Sequence, residues 1–305
     1  MVKKYNFRGM MAPVFTPFDD KFKLNLDLIP AYADFLKKNG IEAILVGGTT
    51  GEGVSMSTAE RKASAEAWKN AVKTTKQSLM VMVGGAALTD VMDMAAHAEK
   101  IQADAILCLS DLFFRPQTVG QLVDYFCHVS KAAPNTPLLY YHIPSFTGIN
   151  LDMEAFLIEG RKKIPSFAGI KFTHTDMELG SRAVRAAGDD LAVFLGADQI
   201  FSGAAVLGFD SSIATTLNIW PQMLGDIHKL ILENKLKEAK EVQDSLALKT
   251  ANISKHGSWV STMKPMMKIV TGLDMGPPRP PLTPLTAQQI AQIREETDLT
   301  YQPRK

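Results

Sequence analysis

Cysteine is scarce: the 305 residues contain two, Cys108 and Cys127, in separate apolar segments. Two cysteines cannot frame a disulfide-stapled fold, and a single bridge would have little to staple in a core drawn from 46% apolar residues. Both are read as buried, reduced thiols of a cytoplasmic protein. An excess of either charge is also missing, since 33 Lys and Arg face 32 Asp and Glu. Without a basic stripe, neither nucleic acid nor a membrane surface is expected as a partner. Residues 1–8 carry charge with no apolar run behind them, so no signal peptide is expected, and no run approaches the roughly 20 residues of a membrane span. The histidines at 97, 128, 142, 174, 228 and 256 stand apart in no ligand spacing, which argues against a metal site. There is no P-loop ending, no dinucleotide fingerprint and no Gly-x-Ser-x-Gly elbow, so neither a nucleotide cofactor nor a serine nucleophile is expected.

What is present is a regular alternation. Short apolar runs at 10–17, 43–47, 79–84, 105–109, 137–143, 167–173, 191–195 and 211–215 are each followed by a helical pattern. The runs are apolar throughout, as strands buried on both faces must be. Such strands separated by helices form a parallel sheet, and eight units in one series favour a closed (β/α)8 TIM barrel; an open doubly wound sheet is the alternative. Local punctuation supports the helices: Pro30 in a first turn with Gly40 after the last, and Ser57 with Glu60 as a capping box. The pattern changes after the eighth run. We expect a barrel over 1–218 and a helical extension over 219–305, packed on it as one unit. Helical stretches there run from about 220 to 271 and from about 286 to 297, the second capped by Thr286 and Gln289. Between them the proline-rich segment 276–282 has the composition of a polyproline-like linker or of a ligand for a proline-binding module, but it is short and a capped helix follows directly, so an extended segment strapped to the barrel is the favoured reading.

In a barrel the chemistry gathers at the C-terminal ends of the strands. The sixth run holds Lys171 in an apolar setting. An amine desolvated there loses its charge and becomes a nucleophile toward ketones. The competing reading is an edge strand with Lys171 in water. Alternation puts Gly169, Lys171 and Thr173 on one face, with Gly169 leaving space beside the amine, and Ala168, Ile170 and Phe172 on the other. The fifth run offers Tyr141 on the face of Leu139 and Ile143, as a proton relay or as a packing ring. His142 points the other way and reads as a packing residue. After the second run, Gly47-Gly48-Thr49-Thr50-Gly51-Glu52-Gly53 combines glycines with two hydroxyls, suiting either an anion site or a tight turn. Asp198 and Thr215 end the seventh and eighth runs, as site residues or as helix caps.

Three of these segments together resemble the lysine-dependent pyruvate aldolases, the family that contains N-acetylneuraminate lyase and dihydrodipicolinate synthase. The matching residues are Gly48-Thr49-Thr50-Gly51-Glu52, Tyr141-x-Ile143-Pro144 with Thr147-Gly148, and Gly169-Ile170-Lys171. They fall in the right order on the right strands, and the likeness runs from Phe7 to about Leu282. It implies Schiff-base chemistry at Lys171, proton transfer by Tyr141 and carboxylate binding by Thr49 and Thr50, with no organic cofactor or metal. Thr173, Gly196, Asp198, Gln199 and Thr215 would bind a hydroxylated chain. The implied reaction is reversible cleavage of N-acetylneuraminate to N-acetylmannosamine and pyruvate, by a homotetramer. Phe146 stands where the synthases usually carry an arginine. Gln199 stands where the lyases carry a glutamate, and Phe113 and Phe114 where many relatives place a tyrosine that reaches a neighbouring subunit. The alternatives are the synthase reaction, an aldolase for another sugar acid, and a non-catalytic sugar-acid binding protein on the same barrel.

Overall fold

The alternation of runs and helices closes on itself. In the computed structural model, which describes residues 4–303, the eight runs supply eight parallel strands: β1 (Met10–Pro13), β2 (Ala43–Val46), β3 (Ser78–Met82), β4 (Ala105–Cys108), β5 (Leu138–His142), β6 (Phe167–Phe172), β7 (Ala192–Leu195) and β8 (Ser211–Ile213). Each pairs with the next and β8 returns to β1, making a closed barrel. Residues 1–3, part of the stretch read above for a targeting segment, lie outside the described residues. Helices cover the barrel: α1 (Ile29–Lys38), α2 (Thr58–Thr75), α3 (Leu88–Lys100), α4 (Val119–Ala132), a single turn α5 (Pro144–Thr147), α6 (Met153–Lys163), α7 (Met177–Ala187), α8 (Phe201–Val206) and α9 (Met223–Leu232). Beyond them lie α10 (Leu236–Ser254), α11 (Trp259–Thr271) and α12 (Ala287–Glu296). Among the described residues no helix is long and apolar enough to cross a membrane.

The two-residue period of the strands sorts their side chains into two apolar layers. Leu45, Met82, Leu107, Tyr141 and Phe194 fill the barrel interior. Ile44, Val81, Ile106, Tyr140 and Phe172 pack outward against the helices. Burial on both sides explains why the strands read as unbroken apolar runs. Each fully buried phenylalanine, Phe172 and Phe194 among them, contributes about 2–3 kcal/mol relative to exposure.

One strand departs from strict alternation. Leu138 pairs with Phe167 but Leu139 pairs with Gly169, so Ala168 is an extra residue in β6. The bulge turns Ala168 to the interior, against the expectation that it shares a face with Ile170 and Phe172. Gly169 has φ +136°, and a Cβ there would lie 2.0 Å from the Ala192 carbonyl oxygen. Its role is to let two backbones approach, not to leave room beside the Lys171 amine.

The proline-rich segment is a strap. The Arg279 amide donates to Glu52 Oε2 at 2.7 Å, and its guanidinium reaches the Phe22 and Ser55 carbonyls and the Glu60 carboxylate. Lys264 from α11 pairs with Glu52 Oε1 at 2.8 Å, both side chains being sealed from solvent. The capping boxes form at Ser57 with Glu60 and at Thr286 with Gln289. Both cysteines are free; Cys108 is buried and Cys127 half-buried, less covered than its apolar segment implied.

Candidate active site

Lys171 lies near the end of β6, its backbone in register with Tyr141 on β5 and Phe194 on β7. A closed barrel has no edge strand, so the solvated reading of Lys171 falls away: the residue is 4% exposed. Its Nζ stands 4.2 Å from the centre of the Tyr141 ring. Among the described residues no carboxylate comes within ion-pair distance of it.

Around this amine the strand ends converge. A cavity of about 550 Å³ is lined by Thr49, Thr50, Tyr141, Lys171, Thr173, Gly196, Asp198, Gln199 and Thr215, so every residue singled out from the sequence reaches one chamber. The volume is that of a small-molecule site. Two hydroxyl pairs span it. Thr49 Oγ1 and Tyr141 Oη are 3.1 Å apart, and Thr50 Oγ1 and Thr215 Oγ1 are 2.7 Å apart. The turn that carries both threonines is held by the Glu52 amide donating to Thr49 O and the Gly53 amide to Gly48 O. Those two N–H groups are therefore committed to the turn itself.

The opposite wall belongs to β6 and β7. Thr173 Oγ1 is buried with no hydrogen-bond partner. A Cβ on Gly196 would meet that oxygen at 1.9 Å and Lys171 Cε at 3.1 Å, so the glycine makes room for both side chains. Asp198 is buried, and its Oδ2 accepts the Thr216 amide at 3.0 Å. Burial pushes its carboxyl above the usual carboxylate range, against the pull of that amide and of the Lys171 charge. Neither Asp198 nor Thr215 caps the helix that follows it with its side chain, so the capping alternative does not apply. Gln199 is exposed at the mouth.

The sequence model of the dihydrodipicolinate synthetase family matches residues 6–298. The chain belongs to the dihydrodipicolinate synthetase family. Within that family it is 36% identical to N-acetylneuraminate lyase A of Xenopus laevis over 276 residues, covering 90% of each chain. It is 33% identical to the N-acetylneuraminate lyase of Mus musculus over 290 residues, 94% of this chain and 91% of the mouse protein. Among solved structures, the N-acetylneuraminate lyase (sialic acid aldolase) of Aliivibrio salmonicida is similar with a TM-score of 0.91 and 30% identity, covering 95% of this chain and 96% of that one.

This member of the dihydrodipicolinate synthetase family also brings residues into the chamber that the strand-end reading did not select. His174 lines it from the loop after β6, Phe146 from α5, and Trp259 from α11. Trp259 Nε1 donates to Thr215 Oγ1 at 3.0 Å. In sequence it is one more apolar residue on an amphipathic helix, with nothing to tie it to a strand end. His142 takes the packing role expected of it. It is fully buried, stacked on Phe172 at 5.3 Å between ring centroids. Burial, with His174 nearby, pushes its imidazole down to about 3.

Proposed function

We propose that the protein is a class I aldolase that cleaves N-acetylneuraminate reversibly to N-acetylmannosamine and pyruvate. One observation carries the reading: a buried primary amine, without a carboxylate partner, lies over the ring of a tyrosine whose hydroxyl reaches into the same chamber. The lyases named above, similar over nine-tenths of the chain or more, support the choice of substrate.

The open-chain sugar acid presents a ketone at C2. Lys171 Nζ adds to that carbon, water leaves, and a protonated imine remains. The imine nitrogen draws electrons, so it accepts the pair released when the C3–C4 bond breaks. The Tyr141 ring face beneath the nitrogen stabilises its positive charge. Cleavage requires loss of the C4 hydroxyl proton; Tyr141 Oη, oriented by Thr49, accepts it while passing its own phenolic proton to the substrate carboxylate. The aldehyde departs as N-acetylmannosamine. The enamine left on Lys171 takes a proton at C3, and water hydrolyses the resulting imine to pyruvate and free amine. Thr49 and Thr50 hold the carboxylate and so orient the imine. Thr173, Gly196, Asp198, Gln199 and Thr215 face the hydroxylated chain; the unpartnered Thr173 hydroxyl is placed to give or accept a bond there. No organic cofactor or metal enters this scheme.

Phe146, 70% exposed beside the chamber, has no charge with which to hold a second carboxylate, which favours a sugar over aspartate semialdehyde as pyruvate's partner. The family resemblance supports a homotetramer, and the two free cysteines a cytoplasmic location. Borohydride reduction in the presence of pyruvate is expected to leave a three-carbon adduct on Lys171, and Lys171→Ala to abolish turnover. An unmodified Lys171 would falsify the mechanism. A panel pairing pyruvate with N-acetylmannosamine or aspartate semialdehyde decides the substrate, and light scattering tests for four times the chain mass.

A further inference from the structure

Helix α11 bears on the Gly-Thr-Thr turn from outside the barrel at two points, one of them in the chamber. Its first residue, Trp259, donates its indole N–H to Thr215 Oγ1 at 3.0 Å, and that oxygen lies 2.7 Å from Thr50 Oγ1. An indole only donates, so the Thr215 oxygen must receive it, which leaves that hydroxyl its proton and one lone pair with which to meet Thr50. Further along the helix, Lys264 is fully buried against Glu52, with a second bond to the Pro277 carbonyl at 3.0 Å. Glu52 closes the Gly-Thr-Thr turn in a left-handed conformation, φ 53°, its amide bonded to Thr49 O. The two anchors therefore bear on the turn at Thr50 and at Glu52. Thr16 Oγ1 adds a bond to Gly51 O at 2.6 Å between them.

A sealed ammonium–carboxylate pair contributes little net stability, because desolvating both ions offsets their attraction; what it does supply is fixed geometry. Left-handed backbone at a non-glycine residue is disfavoured unless its surroundings hold it there. We propose that Trp259 and Lys264 are positioning residues, through which α11 holds the Thr49–Thr50 turn in the shape that receives the substrate carboxylate. The inference rests on the carboxylate role given to those threonines above. The part of the chain outside the barrel is thereby a component of the active site.

The test uses the full chain. Trp259→Phe keeps an aromatic ring and removes the donor. Lys264→Met combined with Glu52→Gln removes the ion pair without stranding a charge. Each is expected to speed amide hydrogen exchange in the peptide 47–56 while β4 and β5 exchange as before. Each should also raise KM for pyruvate about fivefold, the scale of one lost hydrogen bond, with kcat changed less than twofold. In a Thr215→Val background Trp259→Phe should have no further effect. Additive losses would overturn the proposal, since the ring would then act on substrate directly. Unchanged exchange and KM in both variants, or exchange faster throughout the chain, would overturn it too. Failure of the parental chain to trap pyruvate would count against the aldolase reading alone; the exchange measurement would still decide the role of α11.

Discussion

Gly196 shows how tightly the Lys171 and Thr173 side chains are packed. The space a methyl would occupy is already taken by the Thr173 hydroxyl and the Lys171 stem. Gly196→Ala is expected to cut turnover about a hundredfold by displacing the amine, with little change in the melting temperature; the two measurements together separate misplacement from unfolding. Tyr141→Phe removes the hydroxyl but keeps the ring under Nζ. It should lower kcat far more than it alters pyruvate binding, and cleavage at the parental rate would refute its part in proton transfer. His142 gives a pH dependence. Its folded pKa of about 3 lies below the ordinary 6.5, so the unfolded chain takes up a proton that the folded one refuses. Stability is complete above pH 6.5 and declines as pH falls toward 3. His142→Phe should flatten urea-unfolding free energy against pH in that window by up to about 1.4 kcal/mol per pH unit. Lys171 was legible in the sequence because an ammonium in an apolar run demands a reason. Trp259 was not: its apolarity fits ordinary helix packing, and its contact with Thr215 is set by the fold.

At the level of elements, periodicity found all eight strands because each is buried on both faces, leaving the β/α alternation as the strongest signal in the chain. It could not find the bulge at Ala168, since one extra residue leaves composition unchanged and only the partner strand reveals it. Helix starts were legible where side chains close them. The Thr286 box forms with Gln289 Oε1 accepting the Thr286 amide at 2.9 Å, and Thr286 Oγ1 accepting the Gln289 amide at 3.2 Å. Thr286→Ala should cost about 1 kcal/mol, read as a small fall in unfolding free energy with activity intact. Prolines fix an extended backbone without saying what it lies against; the strap was the favoured reading because the segment is short and a capped helix follows it directly.

Across the whole molecule, barrel and extension share buried contacts: Glu52 with Lys264, and the Asp198 carbonyl with Gln243 of α10. We therefore expect one cooperative transition. Trp68 packs on Tyr32 in the helical coat of the barrel, while Trp259 belongs to α11. Single-tryptophan variants reporting from each site should lose native fluorescence at the same urea concentration. Two separated midpoints would show that the extension unfolds by itself.

The Glu52 contacts also set an order of assembly. Lys264 follows it by 212 positions and Arg279 by 227, so the turn is closed by residues synthesised after every strand of the barrel. A nascent chain stalled on the ribosome after β8 would hold every strand of the barrel and the reactive amine. It would still lack Lys264 and Arg279, so competence would wait until α11 and the strap had emerged.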